Sequence, residues 1–429
     1  PTWRCAPMEY TLTRLQHDLR LLSTPMANTE AVTILVLVGA GSRYEWREIN
    51  GLAHFTEHMF FKGAKRYPNT KAVAEAIDGV GGEFNAFTSK EYAGYYVRVA
   101  SEHLELALDV LSDMLLNSTF PEEEIERERG VILEEYNMYL DTPSSQVNFD
   151  FERHLFGDQP LGWDEIGTME TIKSLQRGDF VDYRAKLYTP DNTVVSVAGA
   201  FDEATLPGLV SSSFAFSEAG KDYTWKPFEV PADSEPVFIR QRPTEQAHLA
   251  IGVIGYPQEH EDFYTARLTG IILGGNMSSR MFLSVRERQG LAYYVNTGSF
   301  GYTDAGVMVT KAGVDISRVD QSVVAIREEY RKIVEDGLDE AEFAKAKEFF
   351  RGRLTLQLES SMRVASLLGV SELLYDKILT PREVLEKVDR VTRDDIARVS
   401  AHLFSPERMK FAVIGPFEDP GRFAALLQE

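Results

Sequence analysis

The two halves of this chain contain matching segments at a constant separation, and this repeat is the strongest constraint on its fold. The strand-like run Val36–Gly39 matches Val253–Gly255, and the segment Leu187–Gly199 matches Leu403–Gly415. The offset is 216 residues in both cases, about half of the 429 residues in the chain. Two ordinary strand patterns that converged by chance would not keep one offset at both ends. The repeat therefore predicts an internal duplication.

Each half of the sequence mixes strand-like runs with long helical patterns, which predicts the α+β class. We expect two homologous α/β-sandwich-like domains, the first spanning residues 1–216 and the second residues 236–429. Residues 217–235 are polar and contain Gly220, Pro227, Pro231 and Asp233, a composition typical of a linker. Halves of this size fit the usual range of domain lengths.

The segment His54-Phe55-Thr56-Glu57-His58 carries the clearest chemical signal. On an α-helix, residues four apart lie on one face, so both imidazoles could bind one ion with Glu57 within reach of it. Zinc needs neutral imidazole ligands and a base for its water, and H-x-x-E-H is the inverzincin pattern that supplies both. The alternative is a histidine pair on a half-buried helix without a metal. A third ligand would decide between them.

A second helix is predicted from Pro121 to about Leu140, because Pro121 suits a first turn and Pro143 disfavours helical angles before it. At about 100° per residue, Glu128 and Glu135 lie beside its apolar stripe, whereas Glu134 points to the opposite side. That stripe consists of Ile125, Ile132, Tyr136 and Tyr139. A buried carboxylate is costly unless it is paired or binds a metal. Glu135 is therefore the ligand candidate and Glu128 a carboxylate that orients a histidine, unless both simply pair with arginines at a packed edge.

His54-x-x-Glu57-His58, followed by the segment Glu128–Glu135, resembles the pitrilysin-type metallopeptidases, which include insulin-degrading enzyme and the mitochondrial processing peptidases. The resemblance implies that His54, His58 and Glu135 hold one zinc ion per chain. It implies that Glu57 is the general base and that Glu128 supports the site. It also selects Glu135 over Glu134, in agreement with the helix-face argument.

The second half has no histidine pair at the equivalent place, where position 270 is glycine and Leu273-Gly274-Gly275 follows. We expect this half to keep the scaffold without the metal. Its segment from Leu273 to Tyr293 is similar to the C-terminal half of the same family. This similarity implies that Arg286 and Tyr293 grip the substrate and stabilise an oxyanion. Taken alone, an arginine and a tyrosine of this kind are usually structural.

The glycine-led segment Gly81–Thr88 predicts a strand, with Tyr92–Val99 as its hairpin partner. The family likeness implies that this strand lies at a sheet edge beside the zinc and pairs with the substrate backbone. By position, Asn85, Ala86 and Phe87 would face the substrate. Without the likeness, an ordinary inner strand with packed aromatic rings explains the pattern equally well.

The chain carries 45 Lys and Arg against 66 Asp and Glu, a formal net charge of −21. This balance disfavours nucleic acid as a partner and favours cationic peptides slightly. The single cysteine, Cys5, excludes an internal disulfide. The longest apolar run, Ala31–Val38, is too short to cross a bilayer. No signal-peptide pattern opens the chain, which favours the cytoplasm, although a start at Pro1 leaves a removed leader open.

Together these features predict a zinc endopeptidase that acts on short or unfolded peptides. The resemblance implies a homodimer with shared active sites, in which each chain forms half of a clamshell. One rival is the catalytic subunit of a heterodimeric processing peptidase. The other is a non-catalytic scaffold like the core proteins of respiratory complexes.

Overall fold

A computed structural model describes residues 8–216, 224–232 and 235–428 of the chain. They form two compact units, each assembled from separate segments of the sequence. The first contains the chain up to Tyr136 with Asp164–Lys226 and Leu354–Glu383, and the second contains Asn137–Trp163, Pro227–Arg353 and the chain from Val384 onward. Cys5 and part of the predicted linker, including Gly220 and Asp233, lie outside the described residues.

The first unit contains a six-stranded sheet with the strand order β1-β2-β6-β3-β5-β4. Its strands are β1 (Thr11–Arg14), β2 (Arg20–Pro25), β3 (Ala31–Val38), β4 (Glu83–Thr88), β5 (Ala93–Ala100) and β6 (Thr193–Gly199). The predicted hairpin is confirmed, because β4 pairs antiparallel with β5 and Ala86 lies opposite Tyr95. Within the described part of the chain, β4 has no partner on its other side, so it is an edge strand.

The second unit contains a five-stranded sheet with the strand order β7-β11-β8-β10-β9. Its strands are β7 (Val237–Gln241), β8 (Gln246–Ile254), β9 (Ala292–Gly301), β10 (Gly306–Asp315) and β11 (Lys410–Gly415). In both sheets one pair is parallel, β2 with β6 and β7 with β11, and the next pair inward is antiparallel. Apart from β1, the two sheets therefore have the same strand order.

The described residues also form fifteen α-helices. They are α1 (Leu52–Phe60), α2 (Thr70–Asp78), α3 (Leu104–Asn117), α4 (Glu122–Leu140), α5 (Pro143–Phe156), α6 (Met169–Ser174), α7 (Arg177–Leu187), α8 (Leu206–Ser213), α9 (Phe263–Gly274), α10 (Val319–Glu335), α11 (Glu340–Gln357), α12 (Ser361–Tyr375), α13 (Pro381–Arg390), α14 (Arg393–Leu403) and α15 (Pro420–Gln428). Helices α7 and α14 differ by 216 residues at both ends. The predicted α+β class and the duplication are confirmed.

Each sheet is covered on one face by a helix from the other half of the sequence. In the first unit, α12 packs on β3 and β6, with Leu368 and Val364 in a cluster of buried aliphatic side chains. In the second unit, α5 packs on β8 and β11, and its Phe151 side chain lies in the buried cluster of that sheet. The predicted limits of 1–216 and 236–429 remain a prediction about the sequence halves, and the structure adds this exchange of helices.

Among the described residues, none of the helices combines the length and the apolar composition that a membrane span requires. The longest apolar run, Ala31–Val38, forms the inner strand β3, which lies between β6 and β5. All of its residues from Val32 to Val38 are buried. This run is therefore part of the core of the first unit.

Candidate metal centre

Helix α1 begins where a buried carboxylate holds its first turn. The Glu45 Oε2 atom accepts hydrogen bonds from the Gly51 backbone N–H and the Asn50 side-chain amide, both at 2.9 Å. Its Oε1 atom accepts one from the Ala53 N–H at 2.6 Å. The free N–H groups of a first helical turn favour such an acceptor. Burial, opposed by these hydrogen bonds, raises the pKa of Glu45 to about 8.

The way α1 packs against the core fixes the side on which both histidines lie. Leu52, Phe55 and Met59 are buried in the core, whereas His54 and His58 lie on the half-buried side. The two imidazole rings are neighbours along the helix, with their centroids 4.7 Å apart and their planes tilted by 58° to each other. This arrangement follows from the four-residue spacing, as the sequence predicted.

Glu135 on α4 completes a set of three ligand atoms. Its Oε2 atom lies 3.7 Å from His54 Nε2 and 3.7 Å from His58 Nε2. Ligands of a tetrahedral zinc ion, with bonds of about 2.0–2.1 Å, lie about 3.3 Å apart. The three residues form a potential metal-binding group with ligand atoms within 4.8 Å of one another. The donor set, two imidazoles and one carboxylate, fits zinc.

The protonation of the two histidines is set by different surroundings. Burial, together with the charge of His58, lowers the pKa of His54 to about 3, so its ring is neutral, the form that a metal ion binds. Burial alone would lower the pKa of His58 as well. The hydrogen bond to Glu128 and the charges of Glu57, Glu128 and Glu135 outweigh burial, and the pKa of His58 is raised.

Glu128 holds the far side of the His58 ring. Its Oε1 atom lies 2.9 Å from His58 Nδ1, and its Oε2 atom lies 2.5 Å from the Lys62 ammonium. Burial would raise the pKa of Glu128, but its bonds with His58 and Lys62 lower it. The carboxylate is therefore an acceptor for Nδ1–H, which directs Nε2 of His58 toward Glu135. This position matches the orienting role expected for Glu128.

Glu57 lies on α1 next to the metal-binding group and is half-buried. The Thr88 hydroxyl, at the end of β4, donates a hydrogen bond of 2.6 Å to Glu57 Oε2. Burial and the nearby charge of Glu135 raise the pKa of Glu57, although Thr88 and His58 oppose the shift. A raised pKa makes a carboxylate a stronger proton acceptor, which suits a general base.

The remaining predicted residues fall into both units. Asn85, Ala86 and Phe87 lie on β4, with Asn85 exposed and the other two half-buried. Arg286 and Tyr293 belong to the second unit. Arg286 lies in a π-helical turn, with its guanidinium carbon 4.7 Å from the Phe282 ring centroid, and Tyr293 is 63% exposed on the edge strand β9.

Glu134 was placed correctly from the sequence, whereas three residues around the site were missed. Glu134 is exposed on α4, as the helical period predicted. Glu45, Lys62 and Thr88 were not predicted to belong to the site. Lys62 had only a weak signal, since it follows His58 by four residues but lies beyond the end of α1 at Phe60. Glu45 and Thr88 had none, because loop and strand-end positions do not reveal what their side chains contact.

Two imidazoles and a carboxylate base on one helix, with a glutamate from a second helix, are typical of metal-dependent peptidases. Two family models match the chain: Insulinase (Peptidase family M16) over residues 20–167 and Peptidase M16 inactive domain over residues 174–350. The chain therefore belongs to peptidase family M16, and the predicted resemblance is confirmed. The description of the second model agrees with the expected loss of the metal from the second half.

One relative of similar length supports the same assignment, and two solved structures share the fold. The uncharacterized zinc protease YmxG of Bacillus subtilis is 36% identical over 401 residues, covering 94% of this chain and 97% of that protein. A protease from Helicobacter pylori has the same fold, with a TM-score of 0.87 at 21% identity, covering 95% of this chain and all of the other. A chain of Complex III2 from Candida albicans also shares the fold, with a TM-score of 0.83 at 19% identity over 98% of this chain and 100% of that one.

Proposed function

We propose that this protein is a zinc-dependent endopeptidase that hydrolyses short or unfolded peptides. The observation that carries the proposal is the convergence of His54 Nε2, His58 Nε2 and Glu135 Oε2 beside the carboxylate of Glu57. These three residues would hold one zinc ion per chain. When bound there, zinc would lower the pKa of a water molecule to about 7 and polarise the scissile carbonyl.

Glu57 is assigned the proton transfers. Its Oε2 atom accepts a hydrogen bond from the Thr88 hydroxyl. We assign the other oxygen, Oε1, to accept the proton of the attacking water. The same carboxylate then delivers that proton to the leaving amine. Its raised pKa, caused mainly by burial, suits both steps.

The edge strand β4 is the proposed platform for the substrate. An extended peptide can add to an open sheet edge through backbone hydrogen bonds, which demand no particular side chains. Asn85, Ala86 and Phe87 would lie against such a peptide, and a folded protein could not supply the extended backbone. Arg286 and Tyr293 are assigned to substrate binding and to the oxyanion on the strength of the family likeness.

Exchange of Glu57 for Gln tests the assignment of the base. The variant should retain zinc at the level of the wild type, because Glu57 is not among the three ligands, and should lose turnover of a fluorogenic peptide. Glu134→Gln is the matched control, since Glu134 is an exposed carboxylate on α4. It should keep both zinc and activity. Normal cleavage by zinc-loaded Glu57→Gln would refute the assignment.

We propose further that two copies of the chain form a homodimer with shared active sites. The family resemblance implies that chains of this length act in pairs, and this chain carries both the histidine motif and the Arg286–Tyr293 pair. A His54 variant and a Tyr293 variant, each inactive alone, should recover activity when their subunits are exchanged. Lack of recovery after proven exchange would contradict shared sites, and purification with a different obligate partner would favour the heterodimeric alternative.

The non-catalytic scaffold has one observation in its favour, the fold shared with a chain of Complex III2 from Candida albicans. A scaffold needs no zinc, whereas the proposed enzyme requires about one ion per chain. Metal analysis of the purified protein, with peptide cleavage measured before and after chelation, separates the two. Stoichiometric zinc with chelator-sensitive cleavage supports the peptidase.

A further inference from the structure

We propose that Thr88 is a positioning residue that aligns the Glu57 carboxylate with a peptide bound along β4. This inference rests on the proposed function and assigns a role within it to a residue that neither holds the metal nor transfers the proton. It joins two parts of the site that the sequence presents separately, the base on α1 and the substrate strand.

The contact that carries the inference is a hydrogen bond between two side chains 31 residues apart in the sequence. The Thr88 hydroxyl donates to Glu57 Oε2 at 2.6 Å, and both residues are half-buried. Hydrogen bonds to ionised acceptors are shorter and stronger than neutral ones. A β-branched threonine has a restricted χ1 angle, so its hydroxyl is a rigid donor. The bond therefore fixes the orientation of a flexible glutamate side chain.

The position of Thr88 in the sheet gives this bond its function. Thr88 is the last residue of β4 and lies opposite Ala93, so the inner side of β4 is fixed by β5. The outer edge is the side that a peptide would use. A further contact between the same two parts of the unit is made by Phe61, directly after α1, whose ring lies 5.8 Å from that of Phe84 on β4.

The consequence concerns the register of the bound peptide. Residues along a strand are about 3.3 Å apart, so a peptide paired one step out of register moves its scissile bond by that distance. Errors of about 1 Å in such geometry can cost about 100-fold in rate. Thr88 bonds the base Glu57 to β4, the strand that pairs with the peptide. The positions of the peptide and of the base are therefore both set by β4. Thr88 would thereby act on the chemical step and not on affinity.

Replacement of Thr88 by Val removes the hydroxyl and keeps the shape of the side chain. We expect kcat for a fluorogenic peptide to fall about 10-fold to 100-fold, the range expected for loss of a hydrogen bond to a charged group. KM should change less than about twofold, because the backbone edge of β4 is unaltered. Thr88→Ser, which restores the hydroxyl, should recover most of kcat.

Thr70→Val is the matched control for loss of a threonine hydroxyl in the same unit. The Thr70 hydroxyl donates to the Phe61 carbonyl at 2.9 Å and is exposed. This variant should retain kcat and KM. Zinc content and melting temperature are measured for every variant, and Thr88→Ala replaces Thr88→Val if the latter does not fold.

The inference is overturned if zinc-loaded Thr88→Val keeps the wild-type kcat, or if Thr88→Ser fails to recover what Thr88→Val loses. It is also overturned if the loss appears entirely in KM or follows a loss of zinc. Failure of the proposed function has a different signature, namely a wild-type protein without zinc-dependent cleavage. An active wild type with an unaffected Thr88→Val variant would remove this inference alone.

Discussion

Leu368 belongs to the second half of the sequence but lies in the core of the first unit, so a cavity there tests the exchange of helices. Its side chain on α12 is fully buried in a cluster with Leu35, Leu37 and Val194. A side-chain bond joins the same surfaces, since Ser196 Oγ donates to a backbone carbonyl of α12 at 2.9 Å. Replacement of Leu368 by Ala should therefore destabilise the first sheet, although the substitution lies far along the chain from it.

The expected cost follows from what the substitution removes. Leu368→Ala deletes about three carbon groups from a site with 0% exposure, and each buried group contributes about 0.8 kcal/mol. The cavity that remains adds to this sum, and fully buried leucines typically cost about 3–5 kcal/mol. The close packing of Gly369, where an added Cβ would lie 3.0 Å from Ser196 Cβ, limits how far the helix can relax. We therefore expect at least about 3 kcal/mol.

Amide hydrogen exchange measures where that cost falls. A loss of about 3 kcal/mol lowers amide protection about 100-fold in the strands that depend on the helix. Leu368→Ala should lower protection in β3 and β6, and the reciprocal variant Phe151→Ala on α5 should lower it in β8 and β11. If both variants weakened both sheets equally, or each weakened the sheet that its helix does not cover, the reasoning would be refuted.

Two further predictions concern charged groups around α1. Lys62→Met should lower the melting temperature of the metal-free protein, because the buried Glu128 loses its ammonium partner at a cost of about 1–3 kcal/mol. Lys62→Arg should recover much of this loss. Equal melting temperatures of wild type and Lys62→Met would contradict the role of this ion pair. Glu45→Gln should change the pH dependence of stability, because the pKa of Glu45 is raised in the folded state from 4.5 to about 8. The contribution of Glu45 to the free energy of unfolding is therefore present below pH 4.5 and is lost as the pH rises toward 8, by at most about 1.4 kcal/mol per pH unit. The melting temperature of the wild type relative to this variant should therefore fall between pH 5 and pH 8, and a constant difference would contradict the prediction.

Features fixed by local periodicity were predictable from the sequence. The seven-residue spacing of Glu128 and Glu135 placed both on the inner side of α4, and Glu134 on the outer side. The four-residue spacing of His54 and His58 placed both rings on one side of α1. Both results need only the helical repeat, which does not depend on the rest of the fold.

Features that depend on tertiary packing were not predictable in the same way. The apolar residues of α5 and α12 show that each helix must be buried, but both sheets present aliphatic faces and the sequence does not select one. The contacts of Thr88 with Glu57 and of Lys62 with Glu128 join distant positions in the sequence. Such pairs follow from how helices and strands pack, and one sequence without that packing does not specify them.

The second half shows why the metal cannot simply be restored there. The positions 216 residues after His54 and His58 are Gly270 and Gly274 on α9, the helix equivalent to α1. A Cβ atom added at Gly270 would lie 3.3 Å from the Ser299 backbone nitrogen, and one at Gly274 would lie 2.5 Å from Thr297 Oγ1 on the edge strand β9. Helix α9 thus packs directly against the backbone of β9, and an imidazole at either position would push the two apart. In the first unit the corresponding positions on α1 hold the two histidines, whose rings face Glu128 and Glu135 on α4. At these two positions the packing of α9 on β9 therefore leaves no room for a pair of imidazole ligands.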